Sequence, residues 1–358
     1  MNAFTFQANP ARVIFGPGSL QQVGAEVERL GARRALVLCT PEQTASARQV
    51  LALLGERGAG LFARAAMHVP METAREARDE ARRLGADCAV AIGGGSTTGL
   101  GKAIALDSGL PIIAIPTTYA GSEMTPIYGI TEGGVKKTGR DLRVMPRTVI
   151  YDPELTLTLP FAMTVTSALN AIAHAAEGLY AHDGNPVVAL MAEEGLRASA
   201  AALAPLQANP RDLAARGDAL YGAWLCGTVL GSVVMGLHHK LCHTLGGSFN
   251  LPHAETHSVV LPHALAYNAA AAPRAMQRIA RALHAADSSL DSSDPARALQ
   301  LLAARHGAPT SLAALGMPAE DLDRAAELAV MTPYPNPQPL ERAALRALLQ
   351  RAFEGAAP

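Results

Sequence analysis

Over its first 150 residues the chain alternates short apolar runs with stretches of helical period. From Leu155 onward the helical pattern is nearly unbroken. That alternation constrains the fold more than any other feature. A strand needs a crossover helix before the next parallel strand can pair with it. The pattern therefore predicts a mostly parallel α/β sheet with right-handed crossovers, followed by an all-helical second half. Residues 12–15 read as the first strand, ended by Gly16-Pro17-Gly18, and Ser19 reads as the cap of a helix to about Leu30. Residues 35–39 (ALVLC), a weaker run at 60–64, 88–92 (CAVAI) and 111–115 (PIIAI) read as strands, with an amphipathic helix at 72–84. Glu132-Gly133-Gly134 is a turn signal between two β-prone runs, which predicts a hairpin within 128–151, and 149–151 reads as the last strand. Asp152-Pro153 punctuates the chain there. A length of 358 residues favours two domains, expected at 1–155 (dinucleotide-binding, α/β) and 156–358 (all-helical, catalytic).

The composition excludes several classes. It is 49% hydrophobic and 17% charged, as a globular chain requires, and the net charge of −1 gives no electrostatic case for a nucleic-acid partner. The four cysteines form no C-x-x-C pair, so reduced thiols in a cytoplasmic protein are expected, and residues 1–16 lack the pattern of a secretory signal. Residues 219–237 carry no formal charge and nearly suffice to span a bilayer. No second such segment accompanies them, so a helix buried inside the helical domain, and no membrane, is the expectation.

Two loops suggest a cofactor. Gly93-Gly94-Gly95-Ser96 directly follows CAVAI and opens a helix near Thr97. Glycines let a phosphate approach the backbone, and a helix start offers free N–H groups, although the spacing is not G-x-G-x-x-G. The next strand ends in Pro116-Thr117-Thr118 and then Gly121-Ser122-Glu123, supplying hydroxyls at the same sheet edge. Gly94, Gly95, Ser96, Thr117 and Thr118 are thus candidate cofactor contacts. Strand ALVLC ends in Thr40-Pro41-Glu42, with Glu42 within reach of a ribose and no arginine in its place, so both NADH and NADPH remain open.

The second half carries a histidine cluster. Asn170 and His174 share one helix face, which Glu177 extends by a turn; His239 and His243 are four apart at the end of the apolar run, and His253 follows a turn-like segment. Any one of these alone reads more simply as a core or capping histidine. Together they have the look of a metal site.

The elements GGGS at 93–96, PTT…GSE at 116–123, DPELT at 152–156, N-A-x-x-H-A-x-E-G at 170–178 and G-L-x-H-x-x-x-H-x-L-G…P-H at 236–253 occur in that order. With them the chain resembles the iron-containing alcohol dehydrogenase superfamily over about residues 10–340. The resemblance implies a dehydroquinate synthase-like fold, an active site in the cleft between the two domains, and a homodimer. It implies a metal held by an Asp and three His, at positions matching Asn170, His174, His239 and His253, with His243 an active-site histidine that binds no metal. It places Lys137 near the nicotinamide ribose.

Two departures stand out. Asn170 replaces the carboxylate, and Gly99 stands where the family commonly has Asp. A neutral amide with three neutral imidazoles binds a hard divalent ion far less well, so a tightly bound metal is not expected. These departures, the short hairpin and PYPNPQP at 333–339 resemble the maleylacetate reductase branch, which reduces the carbon–carbon double bond of maleylacetate to 3-oxoadipate in aromatic and chloroaromatic breakdown. An enolate is delocalised, and hydrogen-bond donors such as His243 and His253 suffice for it where an alkoxide calls for a Lewis acid. The dicarboxylate substrate makes Lys240, Arg140 and Arg143 candidate contacts. Competing readings are a metal-dependent alcohol or aldehyde dehydrogenase in which Asn170 still ligates, a lyase-type relative, and a binding protein without catalysis.

Overall fold

The structure is a computed structural model. It describes residues 4, 6, 8–9, 11–133 and 135–358, apart from the side chains of 135 and 136. Gly134, in the expected hairpin turn, lies outside the described residues, as do six of the first ten positions. The chain divides into two compact units, Ala8–Leu159 and, for the helical part, Pro160–Pro358. The sequence reading puts that division near residue 155.

The first unit contains β1 (Arg12–Phe15), β2 (Ala35–Leu38), β3 (Gly58–Phe62), β4 (Cys88–Gly93), β5 (Ile112–Pro116), β6 (Ile127–Glu132), β7 (Val135–Arg140) and β8 (Thr148–Tyr151). Six of these form one parallel sheet in the order β1-β8-β5-β4-β2-β3, while β6 and β7 pair antiparallel as a separate ribbon. Strands β2, β4, β5 and β8 are buried at every position, which is why they read as continuous apolar runs rather than alternating ones. Helices α1 (Val23–Arg29), α2 (Thr44–Leu54), α3 (Met71–Arg83) and α4 (Gly95–Ser108) supply the crossovers. The strand order reverses between β2 and β4, and open sheets of this kind bind ligands at the carboxyl edge of such a point.

Ser19 does not cap the first helix. Gly18, at φ 72°, leads into a 3-10 turn over Ser19–Gln22, and the Ser19 hydroxyl donates to the Tyr151 carbonyl. The cap comes from Asp152, whose carboxylate accepts from the backbone N–H groups of Gly18 and Leu20. A charged acceptor beside β8 binds those donors more strongly than a hydroxyl can.

The second unit is helical: α5 (Phe161–Tyr180), α6 (Pro186–Ala201), α7 (Leu203–Ala208), α8 (Leu213–Ser232), α9 (Leu237–Phe249), α10 (His253–Asn268), α11 (Pro273–Ala286), α12 (Pro295–Arg305), α13 (Leu322–Met331) and α14 (Arg342–Glu354). Here a second expectation is corrected. Residues 219–237 are not one helix, and His239 and His243 do not lie on the apolar one. α8 ends at Ser232, Val233 is extended, and α9 starts afresh with its axis bent by 95°. Among the described residues no single helix is long and apolar enough to cross a membrane. The four cysteines are free and buried, and burial pushes the Cys88 and Cys226 thiols up to about 12.

Candidate active site

The start of α9 explains why the histidines gather. A helix leaves its first four backbone N–H groups without partners inside the helix. Here all four are met from distant parts of the chain. The Glu177 carboxylate on α5 accepts from Gly236 (3.1 Å), His238 (2.9 Å) and His239 (3.2 Å). Asn336, in the proline-rich loop, accepts from Leu237 at 3.3 Å. Asn336 is itself held in a reciprocal amide pair with Asn268 of α10. The break at 233–236 thus exists because a carboxylate and an amide wait there to restart the helix.

The same carboxylate bonds the His239 ring: Glu177 Oε2 lies 2.6 Å from Nδ1. On the other side of that ring, Nε2 lies 2.8 Å from His174 Nδ1. Asn170, a turn before His174 on α5, is buried, and its Oδ1 has no hydrogen-bond partner. Behind this layer, His238 Nε2 and His257 Nδ1 sit 2.8 Å apart, with Cys242 Sγ 3.7 Å from His238 Nε2. Burial first, and then the neighbouring imidazoles, push His238 and His257 well below the ordinary imidazole range. Both rings are therefore neutral at pH 7, and each leaves its far nitrogen unpartnered. Towards solvent stand His243, with its ring centroid 6.3 Å from that of His239, and His253, 4.5 Å from that of His257; both are exposed. The cluster is thus a buried hydrogen-bonded layer carrying two accessible imidazoles.

The geometry bears on the metal that the donor set suggests. Two imidazole nitrogens bound to one tetrahedral ion at about 2.0–2.1 Å each stand roughly 3.3 Å apart, both unprotonated. His174 Nδ1 and His239 Nε2 are closer, at 2.8 Å, and share a proton. Within that donor set, the buried Asn170 oxygen, which has no hydrogen-bond partner, resembles an atom awaiting an ion. As arranged, the residues fit a hydrogen-bonded cluster better than a four-ligand centre. A second trio, His238, Cys242 and His257, holds its ligand atoms within 4.8 Å, but its two imidazoles are likewise bonded to each other.

In the first unit the loops after β2, β4 and β5 meet at the sheet edge. Gly93 pairs in register with Pro116, its carbonyl accepts from Thr117 N, and Thr117 Oγ1 accepts from Gln43 Nε2 at 2.6 Å. Gly93 has φ 154°, which suits glycine, and α4 starts at Gly95, two residues before the expected Thr97. Gly94, Gly95 and Ser96 therefore form the helix start itself, whose first N–H groups are placed as an anion site requires. A Cβ on Gly94 would lie 3.1 Å from Thr118 Oγ1, so that hydroxyl joins the same loop cluster. The Thr40 hydroxyl bonds Glu42 and holds its carboxyl below the usual range. Lys137 is exposed on β7 and bonds Glu132 of the same ribbon at 3.1 Å.

Gly99 has a steric reason. A Cβ there would lie 2.7 Å from Val69 Cγ2. Val69 and His68 have positive φ (49° and 62°), a strained pair for a valine, and both their carbonyls are tied to Thr131 of β6. Val69 occupies the room an aspartate would need.

Of the candidate substrate contacts, Arg143 spends its charge on Asp141, at 2.7 Å. Arg140 is exposed on β7. Lys240 lies on α9 with its ammonium 5.9 Å from the centroid of the Tyr334 ring. Four further contributors were not among the candidate site residues. Glu177 was visible only as an extension of the Asn170–His174 face. His238 and His257 flank His239 and His253 at offsets of one and four, a signal present in the sequence. Lys102, fully buried on α4, donates to the Ser122 and Ile127 carbonyls and the Thr125 hydroxyl, and so ties the loop after β5 to α4.

Comparison with known proteins agrees with this architecture. Residues 10–153 match the iron-containing alcohol dehydrogenase family, and residues 164–353 match the C-terminal part of the Fe-containing alcohol dehydrogenase family. A maleylacetate reductase from Burkholderia cepacia is 70% identical over 100% of both chains. The crystal structure of maleylacetate reductase from Agrobacterium tumefaciens superposes with a TM-score of 0.95 at 56% identity, covering 100% of each chain. A 1,3-propanediol oxidoreductase shares the fold at 27% identity and a TM-score of 0.89, covering 98% of this chain and 100% of its own. The matched families are iron-containing by description, so they lend no support to the expectation that no metal is tightly bound. In sequence, in both halves and in fold, the chain belongs to the iron-containing alcohol dehydrogenase family.

Proposed function

We propose that the chain is a maleylacetate reductase, reducing the carbon–carbon double bond of maleylacetate to 3-oxoadipate with NADH or NADPH. The full-length 70% identity to a maleylacetate reductase carries this reading, and the cluster explains how the chemistry is served. The nicotinamide supplies a hydride when bound. Addition at the carbon β to the ketone moves the π electrons onto the ketone oxygen, and the resulting enolate takes a proton at the α carbon. His243 and His253, the exposed imidazoles of the cluster, hydrogen-bond that oxygen and deliver that proton in this reading. The loop edge built from Gly94, Gly95, Ser96, Thr117 and Thr118 holds the cofactor phosphates, with Thr40 and Glu42 towards a ribose.

The same reading dispenses with a tightly bound ion. Its support is the neutral amide at Asn170 and the 2.8 Å bond that joins His174 to His239. A second reading, metal-assisted reduction of an aldehyde, is favoured by one observation, the unpartnered Asn170 oxygen. The substrate is a dianion, for which Lys240 and Arg140 are the proposed cationic contacts. The working unit is proposed to be a cytoplasmic homodimer, which sedimentation equilibrium tests. The experiment for the function follows NADH oxidation with maleylacetate and with short aldehydes: turnover of aldehydes alone sinks the first reading.

A further inference from the structure

Glu177 sits at the junction of two structures, the start of α9 and the imidazole chain. Its side chain is fully buried. One oxygen, Oε2, accepts from Gly236 N, His239 N and His239 Nδ1, and the other accepts from His238 N and the Tyr180 hydroxyl. A carboxylate has only acceptors, so the His239 nitrogen facing it carries the proton. In a neutral His239 the far nitrogen, Nε2, is then an acceptor, and it is the atom that meets His174 Nδ1 at 2.8 Å. His174 must donate from Nδ1, which leaves its own Nε2 unprotonated. One carboxylate thus dictates the tautomers of two successive rings.

We propose that Glu177 is a positioning residue of the active site: it fixes His239, and through it His174, in the Nδ1–H form while anchoring the helix that carries Lys240 and His243. The logic is that of the acidic member of a serine-protease triad, which orients an imidazole and selects its tautomer without itself reacting. The proposal rests on the reductase reading for its kinetics and on the hydrogen bonds alone for its tautomers. It also says where the cluster keeps its negative charge. The carboxylate absent at Asn170 has a counterpart at Glu177, one imidazole removed, where it orders rings rather than holding an ion.

The kinetic test is Glu177→Gln. The amide cannot accept from His239 Nδ1–H on its nitrogen side, and its own N–H groups favour the opposite tautomer. By the triad precedent kcat should fall by about 100-fold to 10,000-fold with KM little changed. Tyr180→Phe, which removes a 3.3 Å bond to Oε1 and spares the His239 contact, should stay within about twofold of wild type. A loosened helix start is separated from a tautomer effect by a double-mutant cycle with His239→Gln. If Glu177 acts through His239, adding Glu177→Gln to that variant lowers kcat little further; if the two losses multiply, the proposal is overturned. Should the variant fail to fold, ¹⁵N-histidine NMR of the wild-type chain decides. A proton on His239 Nδ1 supports the proposal, and a proton on Nε2 overturns it. A wild-type enzyme inert towards maleylacetate would refute the function and leave this NMR result standing on its own.

Discussion

Replacing Asn170 with aspartate isolates the one atom that separates the two chemical readings. Asn170 is 4% exposed and its Oδ1 has no partner. Amide and carboxylate have nearly the same shape, so the packing term cancels and charge is what changes. Without an ion, the new carboxyl either ionises among imidazoles or keeps its proton. Protonation sets the upper bound: against an unfolded value of about 3.9, holding the proton at pH 7 costs about 4 kcal/mol at ~1.36 kcal/mol per unit. At ~2–4 °C per kcal/mol for a unit of this size, the metal-free variant melts up to roughly 8–16 °C below wild type. The folded value of the new carboxyl is raised, so the deficit is absent below about pH 4 and deepens as the pH rises. A divalent ion at about 100 times its dissociation constant returns ~2.7 kcal/mol, or roughly 5–11 °C, to the variant. Wild type, with an amide at that position, gains about 1 °C or less. Differential scanning fluorimetry after chelation, with and without Fe²⁺ or Zn²⁺, reads all of this. If wild type gains as much from the metal as Asn170→Asp does, the amide is a working ligand and the argument from its neutrality is wrong.

Three further outcomes follow from the geometry. His253→Ala and His243→Ala should each lower kcat by about 100-fold or more while leaving the melting temperature within a few degrees, because both rings are exposed; stopped-flow and thermal scans check this. Gly99→Ala should raise the KM for NADH several-fold, because its Cβ meets Val69 Cγ2 at 2.7 Å, and adding Val69→Ala should restore it; an unchanged KM, or no rescue, contradicts the steric account. Lys102→Met strands two buried carbonyls and should destabilise the α/β unit by about 3–5 kcal/mol near pH 10. Burial, opposed by the charge of Glu123, pulls the Lys102 ammonium down to about 7, below its unfolded value of 10.5. Its contribution to stability is then full above about pH 10.5 and lost as the pH falls towards 7, so urea midpoints should show the gap between wild type and variant widening from pH 7 to pH 10.

The sheet was legible because its central strands are covered on both faces and therefore written as uninterrupted apolar runs. The meeting of two loops at one sheet edge was legible because glycines and threonines directly follow two of those strands. The membership of the histidine cluster could be read from i, i+4 spacing within α5 and near α9. What spacing could not carry is the break between α8 and α9. Apolar composition runs through it unchanged, and its cause is a carboxylate 59 to 62 residues earlier in the chain. The same holds for Asp152, which caps the first turn from 132 residues away at Leu20. Local hydroxyls look like caps in a sequence, and only the fold reveals that a remote carboxylate takes their place. Gly99 was legible as a departure from the family pattern, but its reason, the strained Val69, was not.

If the cluster reduces an activated alkene through hydrogen bonding and proton delivery, NADH oxidation with maleylacetate needs no added ion. The decisive comparison is between enzyme stripped by exhaustive chelation and the same enzyme with Fe²⁺ or Zn²⁺ restored. 3-Oxoadipate should form at a rate that chelation leaves within about twofold and that added metal does not raise. Loss of maleylacetate turnover on chelation, with recovery on adding metal, would show instead that the reaction depends on a bound ion.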